Sequence, residues 1–245
     1  MSPHSTSFGR KAQSCYTCQR RDRSEWCALR DEDVGLLDRL KIYNTYQTGQ
    51  VIFYQGNPCL GIYCIEDGTV GVRKTDADGN SMLVRLAHPG QTLGYRTFFS
   101  GSGYSASAEA LTPARICFID KSGVALLLER NPSLGQKFLL RLATDLEEAE
   151  DARLQASTLS VRARLAHLLL TLKDRFGSVT EDGTLTIQLP LTRQDLASMV
   201  GTRPETIART IRVLTDEGVA KFAGRIVTVP DLDALLDETE LVSDV

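Results

Sequence analysis

The chain is expected to be an α+β protein with an N-terminal antiparallel β-roll, a long dimerisation helix and a C-terminal winged helix-turn-helix. Three patterns lead there. Short β-rich runs fill Tyr46 to Phe118; a helical stretch free of Gly and Pro runs from Gln136 to Phe176; a helix–glycine–helix–hairpin pattern occupies Leu191 to Val229. The shifts between them set the boundaries: a cysteine-rich arm over 1–30, the β-roll over 31–130, the dimerisation helix over 131–159 and the winged domain over 160–245.

Within the roll, Val51-Ile-Phe-Tyr, Gly61-Ile-Tyr-Cys-Ile, Thr69-Val-Gly-Val and Met82-Leu-Val-Arg-Leu read as strands. Gly49, Gly56, Asp67-Gly68, Asp78-Gly79 and Pro89-Gly90 punctuate them, and Asp78-Gly79 between two strands is a hairpin signal. After Asn131-Pro132, Leu139, Leu142, Leu146, Ala149 and Ala156 recur at helical spacing, with a break expected near Ser157–Ser160. So narrow a stripe suits a seam between two helices, which predicts a homodimer. Packing against the chain's own β-domain is the other reading.

Thr184-Leu-Thr-Ile-Gln-Leu alternates as a strand should. Thr192 offers an N-cap with Asp195 three residues on, and Gly201 a turn. Thr202 with Glu205 suggests a second capping box around Pro204. Ile207, Ile211 and Leu214 are the buried face of that helix and Gly218 ends it. Lys221 to Val229 reads as a wing turning at Ala223-Gly224.

Net charge is only −3, with 42% apolar and 24% charged residues, so bulk electrostatic binding is not expected. Two segments run against that average. Residues 10–30 hold six basic side chains (Arg10, Lys11, Arg20, Arg21, Arg23, Arg30) against two acidic ones, and residues 191–229 hold six against four. No window approaches 18 continuous apolar residues, and Met1 to Ser7 carries no apolar stretch. We therefore expect no membrane span, no secretion signal and a cytoplasmic location. His4, His88 and His167 fall in a tail, a turn and a helix and form no metal triad; no phosphate loop or nucleophile elbow occurs. An enzyme is not expected.

Six cysteines stand at 15, 18, 27, 59, 64 and 117. In a reducing compartment they are not a disulfide framework. Cys15, Cys18 and Cys27 lie close enough in sequence to hold a metal or a cluster, and the basic 10–30 stretch is expected to stabilise thiolates there. A structural zinc, or a thiol–disulfide switch between Cys15 and Cys18, uses the same residues. Trp26, the single tryptophan, either shields such a site or anchors the arm. Cys64, inside a strand run, reads as a small buried hydrophobe.

The run Gly49-Gln-Val-Ile-Phe-Tyr-Gln-Gly56, then Ile62-Tyr-Cys-Ile-Glu-Asp-Gly68-Thr-Val-Gly-Val, resembles the glycine framework of the cyclic-nucleotide-binding β-roll. With the long helix and Gly201-Thr-Arg-Pro-Glu-Thr-Ile-Ala-Arg209, the chain resembles the CRP/FNR family of transcription regulators over roughly residues 30–236. The cyclic-AMP branch of that family uses a Gly-Glu pair and an Arg-Ser pair. Here Gly94-Tyr95-Arg96-Thr97 and Gly103-Tyr104-Ser105-Ala106 stand there instead, which leaves a cyclic phosphate without its basic partner. The FNR branch holds a [4Fe–4S] cluster with three N-terminal cysteines and one from the roll. The resemblance thus implies Cys15, Cys18, Cys27 and Cys117 as ligands, the last in Ala110-Leu-Thr-Pro-Ala-Arg-Ile-Cys117, with Cys59 as the rival for the fourth place. A small ligand in the β-roll is the other sensor chemistry.

The resemblance also implies that the second helix reads double-stranded DNA through Glu205 and Arg209. A Glu accepting from cytosine and an Arg on guanine suit one G·C pair of a TGA-like half-site in a palindromic operator. Ala208 can touch a thymine methyl, while Thr192, Arg193, Thr202 and Arg203 are expected on phosphates. Asp151 aligns with an acidic residue of the family's dimer helix. The turn Lys74 to Ser81 resembles a loop that contacts RNA polymerase.

Overall fold

The computed structural model describes residues 14–240. The polar start with His4, and Arg10 and Lys11 of the basic stretch, lie outside them. Two compact units divide the chain: one runs to Val70 and resumes over Ala87–Ala143, the other comprises Gly71–Leu86 and the chain from Thr144.

Two short 3-10 turns, Arg21–Arg23 and Glu25–Ala28, and helix α1 (Asp31–Leu40) precede the roll, whose hairpin over Gly71–Leu86 belongs to the second unit. Strands β1 (Ile42–Tyr46), β2 (Val51–Phe53), β3 (Gly61–Asp67), β4 (Val70–Thr75), β5 (Ser81–Ala87) and β6 (Thr92–Leu93) follow. Helix α2 (Tyr95–Ser100), β7 (Ser107–Ala110), β8 (Ala114–Asp120) and α3 (Lys121–Arg130) complete the roll. The strands form two sheets, β1-β8-β3-β6 and β2-β7-β4-β5, so the expected roll is present and β8 supplies its central pairing.

Register fixes what each face of the first sheet carries. Ile62 pairs with Ile119 and Cys64 with Cys117, while Tyr63 pairs with Phe118 and Ile65 with Ile116. Side chains alternate along a strand and directly opposed residues share a face. Tyr63 therefore faces the roll interior, where it meets Phe53 and Phe118, and Phe53 stacks on Tyr104 at 4.2 Å. Ile62 and Ile119 face the other way, into a core with Trp26, Leu37, Tyr95, Val124 and Phe138. Gly61 starts β3 because a Cβ there would sit 2.1 Å from the Ile119 carbonyl oxygen. Gly79 forms the β4–β5 turn with φ +86°, as the Asp-Gly signal requires.

Helix α4 spans Pro132–Thr158 and α5 Val161–Phe176. The break expected near Ser157–Ser160 occurs where the Ser160 hydroxyl caps α5 by accepting from the Ala163 N–H at 3.1 Å. Leu134 and Phe138 of α4 are buried in the first unit's core, whereas Leu139, Leu140, Leu146 and Leu154 are each more than 60% exposed.

In the second unit β9 (Gly177–Val179), β10 (Leu185–Gln188), α6 (Arg193–Val200), α7 (Pro204–Asp216), β11 (Lys221–Ala223), β12 (Ile226–Val229) and α8 (Leu232–Asp237) follow α5. The wing is the edge of a four-stranded sheet, β11-β12-β10-β9, and turns through Gly224 and Arg225. Thr192 and Asp195 form the expected capping box. Asp195 is also buried and pairs with Arg73 of the β4–β5 hairpin at 2.8 Å. The second box is not formed. Helix α7 starts on Pro204 with Arg203 as N-cap and no side-chain bond, so Thr202 stands one residue too early to cap it. Glu205 is released to the surface as a result.

Burial raises the Asp195 carboxyl, but the Arg73 and Thr192 bonds outweigh it and hold the group below its ordinary value. Its stabilisation is therefore full above the unfolded value near 4 and fades as pH falls through the lower folded one. Asp195→Ala should cost on the order of 3 kcal/mol at pH 7 by urea unfolding, since it strands Arg73 and uncaps α6. The difference from the parent should shrink below about pH 4.

Candidate thiol cavity and nucleic-acid interface

Four thiols from distant parts of the first unit meet in one cavity. Cys15 and Cys18 come from the turns before α1, Cys64 from β3 and Cys117 from β8; Lys41, Arg20, Arg21, Trp26 and Glu66 share its lining. The arm is held there by its own bonds. The Cys15 N–H donates to Asp38 Oδ1 at 2.7 Å, Arg20 Nε donates to the Glu66 carbonyl at 3.3 Å, and the Thr92 hydroxyl donates to Glu25 at 2.5 Å. Lys41 Nζ bridges Asp38 Oδ1 at 2.7 Å and Cys15 Sγ at 3.4 Å.

At Cys15 and Cys117 burial outweighs the positive charge of Lys41. Burial pushes Cys15 up to about 11 even though Lys41 opposes it. Burial likewise pushes Cys117 up to about 12, with Lys41 opposing and Glu66, Cys15 and Cys18 adding. Both thiols are protonated at neutral pH, so a metal taking them as thiolates must displace protons.

Of the expected ligands, Cys15, Cys18 and Cys117 are brought together. Cys27 is not; it is exposed on the Glu25–Ala28 turn. Cys59 lies apart from the cavity and its thiol donates to the Gly61 carbonyl at 3.6 Å. Cys64, read from sequence as a small buried hydrophobe, does pack against the apolar core that holds Trp26, Ile62 and Ile119, and it also borders the cavity directly across from Cys117. Among the described residues, no three His, Cys, Asp or Glu side chains converge closely enough for a single metal ion. Trp26 serves both of its readings: it lines the cavity and, at 2% exposure, packs edge-on against Phe138 of α4 with ring centroids 5.8 Å apart.

The second site is the outer face of α7. Ile207, Ile211 and Leu214 are buried, which leaves Glu205, Ala208, Arg209 and Arg212 exposed on the opposite side. Arg212 extends the expected set; its spacing of seven from Glu205 is the signal that places it on that face. Arg203 is exposed beside Thr202. Thr192 and Arg193 have other commitments. The Thr192 hydroxyl and N–H both serve the capping box. The Arg193 guanidinium lies 4.7 Å over the Phe222 ring, which ties α6 to the wing. Gly201, with φ +71°, makes the tight turn that sets α7 against α6.

A β-roll followed in sequence by a winged helix-turn-helix defines a DNA-binding regulator as a class. Residues 43–131 match the cyclic nucleotide-binding domain and residues 163–238 the Crp-like helix-turn-helix domain. The transcriptional activator protein FnrL of Cereibacter sphaeroides is 27% identical over 94% of this chain and 93% of its own. A CRP-like cAMP-activated global transcriptional regulator of Mycobacterium tuberculosis is 25% identical over 78% and 84%. The crystal structure of a CRP/FNR-family transcriptional regulator from Thermus thermophilus, 27% identical, superposes with a TM-score of 0.68 over 82% of this chain and all of that one. The chain belongs to the CRP/FNR family of DNA-binding transcription regulators. No helix among the described residues is long and apolar enough to cross a membrane.

Glu205→Ala and Arg209→Ala should each lose about 1–3 kcal/mol of discrimination at one G·C pair per half-site. Arg212→Ala should weaken operator and unrelated DNA alike if it contacts phosphate. Titration against operator and single-base variants at fixed salt separates the two effects.

Proposed function

We propose that this chain is a homodimeric regulator that binds a palindromic operator, with a redox-sensitive [4Fe–4S] cluster controlling dimerisation and DNA affinity. The observation that carries this reading is the convergence of Cys15, Cys18 and Cys117 on one cavity, from turns and a strand far apart in sequence. When bound, such a cluster supplies an oxidant-labile link between arm and sheet. Lys41, Arg20 and Arg21 supply the positive surroundings that a set of four thiolates requires. The fourth thiolate is Cys27 on the resemblance.

The roll interior argues for a thiol sensor over a cyclic nucleotide. Tyr104 is buried in that interior and stacks on Phe53, while Tyr95 is buried outside it, in the core with Trp26 and Phe138. Rings thus stand at both segments where the cyclic-AMP relatives bind phosphate and ribose.

The arm reaches α4 through three contacts. Trp26 packs on Phe138, the Arg30 N–H donates to Asn131 Oδ1 at 3.2 Å, and the Ser133 hydroxyl donates to the Ala28 carbonyl at 3.2 Å. Ordering of the arm therefore bears on the helix that carries the exposed stripe Leu139, Leu146 and Leu154. Ala149 and Ala156 continue that stripe and form the seam with it in our reading, with Leu142, itself packed partly against the first unit's core, at its edge. Asp151, exposed on the same helix, opposes its counterpart across the seam. Glu205, Ala208 and Arg209 read bases, Thr202 and Arg203 phosphates, and the Lys74 to Ser81 turn meets RNA polymerase.

Anaerobically purified protein should be brown, contain iron and sulfide, and select inverted repeats with half-sites about one helical turn apart from random DNA. Air should bleach the colour and weaken operator binding together. Colourless protein with unchanged DNA affinity under both conditions would remove the cluster from the switch. Cluster-free Asp151→Ala should dimerise more tightly than the cluster-free parent in sedimentation equilibrium, by a few kcal/mol at most. Equal constants would place Asp151 away from the seam.

A further inference from the structure

We propose that Arg162 is a positioning residue for base reading: through Glu217 and Glu238 it fixes the tilt of α7 and so places Glu205 and Arg209 against the bases. This rests on the assignment of those two residues as base readers and adds what holds them in register.

Three chain segments meet at this guanidinium. Arg162 stands in the first turn of α5, Glu217 is the C-cap of α7, and Glu238 opens the 3-10 turn Glu238–Glu240 that follows α8. Arg162 Nε and Nη2 donate to the two Glu238 oxygens, and Nη2 donates to Glu217 as well. A planar fork that engages both oxygens of one carboxylate fixes direction as well as distance. The Glu238 side chain is only 8% exposed, and Leu235, three residues before it, is fully buried. Packing of α8 therefore holds the carboxylate in place. Arg162 is set by this buried anchor on one side and turns the same guanidinium to the end of α7 on the other.

The end of α7 is where such a contact has most leverage. Ile207, Ile211 and Leu214 hold the helix along one buried stripe, and contacts along a single stripe constrain rocking about its middle least. Ile211 stands six residues from Glu205 and six from Glu217. Rocking about it moves Glu205 as far as it moves the C-cap, in the opposite sense. At about 1.5 Å per residue the two ends lie about 18 Å apart. Polar groups in a working site have to be held within about 0.5 Å, so little of this motion is tolerated. Glu217 also occupies a place that local energetics disfavour. It follows Asp216 at the C-terminus of α7, where the helix dipole opposes negative charge. Choices that break a local rule are expected where function requires them, and the Arg162 contact offsets this one.

The test uses full-length protein and an inverted repeat recovered from random DNA, under the condition in which the parent binds it. Arg162→Lys keeps the charge and loses the fork, while Glu217→Gln, at an exposed position, keeps the size and loses the charge. Each should lower the ratio of operator to unrelated-DNA affinity roughly tenfold. Affinity for unrelated DNA should stay within about twofold, because Arg162 engages carboxylates and not phosphate. Thermal melts followed by circular dichroism set a temperature at which every variant is folded. A double-mutant cycle with Glu205→Ala gives a readout that lost stability does not move, since distant sites with no shared partner normally add. The loss from Glu205→Ala should shrink about fivefold in the Arg162→Lys background, because a displaced Glu205 has less to lose. Unchanged ratios in both variants, or additive losses in the cycle, overturn the proposal. A loss shared equally by operator and unrelated DNA overturns it too, as the mark of a phosphate contact or of general destabilisation. If Glu205→Ala alone leaves discrimination untouched, the base-reading assignment of Glu205 fails, and the two ratios still decide the role of Arg162.

Discussion

A carboxylate buried out of reach of water, Asp33, holds together the N-terminal arm, the end of α3 and the start of α4. Its oxygens accept from Arg130 Nε at 2.5 Å, Asn131 Nδ2 at 3.1 Å and Arg30 at 3.2 Å. Burial raises the group, yet these donors hold it below its ordinary value, so it is charged at neutral pH. A buried charge tolerates no loss of partners, and each partner sits at a junction: Arg30 where the arm enters α1, Arg130 at the end of α3, Asn131 immediately before α4. One anion thereby sets where the arm ends and where the long helix begins. Trp26 on Phe138 and Leu37 in the cavity wall inherit their places from it.

The thiol cavity follows from that frame. Its sheet side is fixed by backbone pairing, whereas its arm side is held by a few polar bonds, Cys15 to Asp38, Arg20 to Glu66 and Thr92 to Glu25. These bonds are partly exposed and individually modest. A site with one rigid wall and one weakly held wall is suited to lose its occupant without loss of the fold. Burial holds the Cys15 and Cys117 thiols high, so any metal taking them as thiolates would have to displace protons.

Most of the fold was legible because it obeys local rules. Asp78-Gly79 fixes a hairpin, Thr192 and Asp195 a helix start, and Ser160 a helix break, each by a backbone requirement that few residues meet. The thiol set was legible only in part. A period-2 strand says that Cys64 and Ile65 face opposite ways, and it does not say which face opens on a cavity; that depends on the pairing of β3 with β8 and on where the arm lies. The outward turn of Cys27 is likewise decided by Trp26, whose burial outweighs any preference at its neighbour. At the DNA end, Thr202 and Glu205 have capping-box spacing, but Pro204 starts the helix and sets the cap at Arg203. Arg193 found an aromatic ring in the wing, which no local pattern announces.

Beyond Asp145, the rest of α4 to Thr158 is exposed along its whole length. An isolated helix of this size is marginal in water, and Glu147, Glu148, Glu150 and Asp151 crowd one turn of it with like charge. A single copy of the chain thus carries a segment that only a second copy can hold firmly. Thermal stability then becomes a function of protein concentration, as mass action requires of a fold completed by association. Dilution would then loosen this stretch of α4 before it disturbs either compact unit.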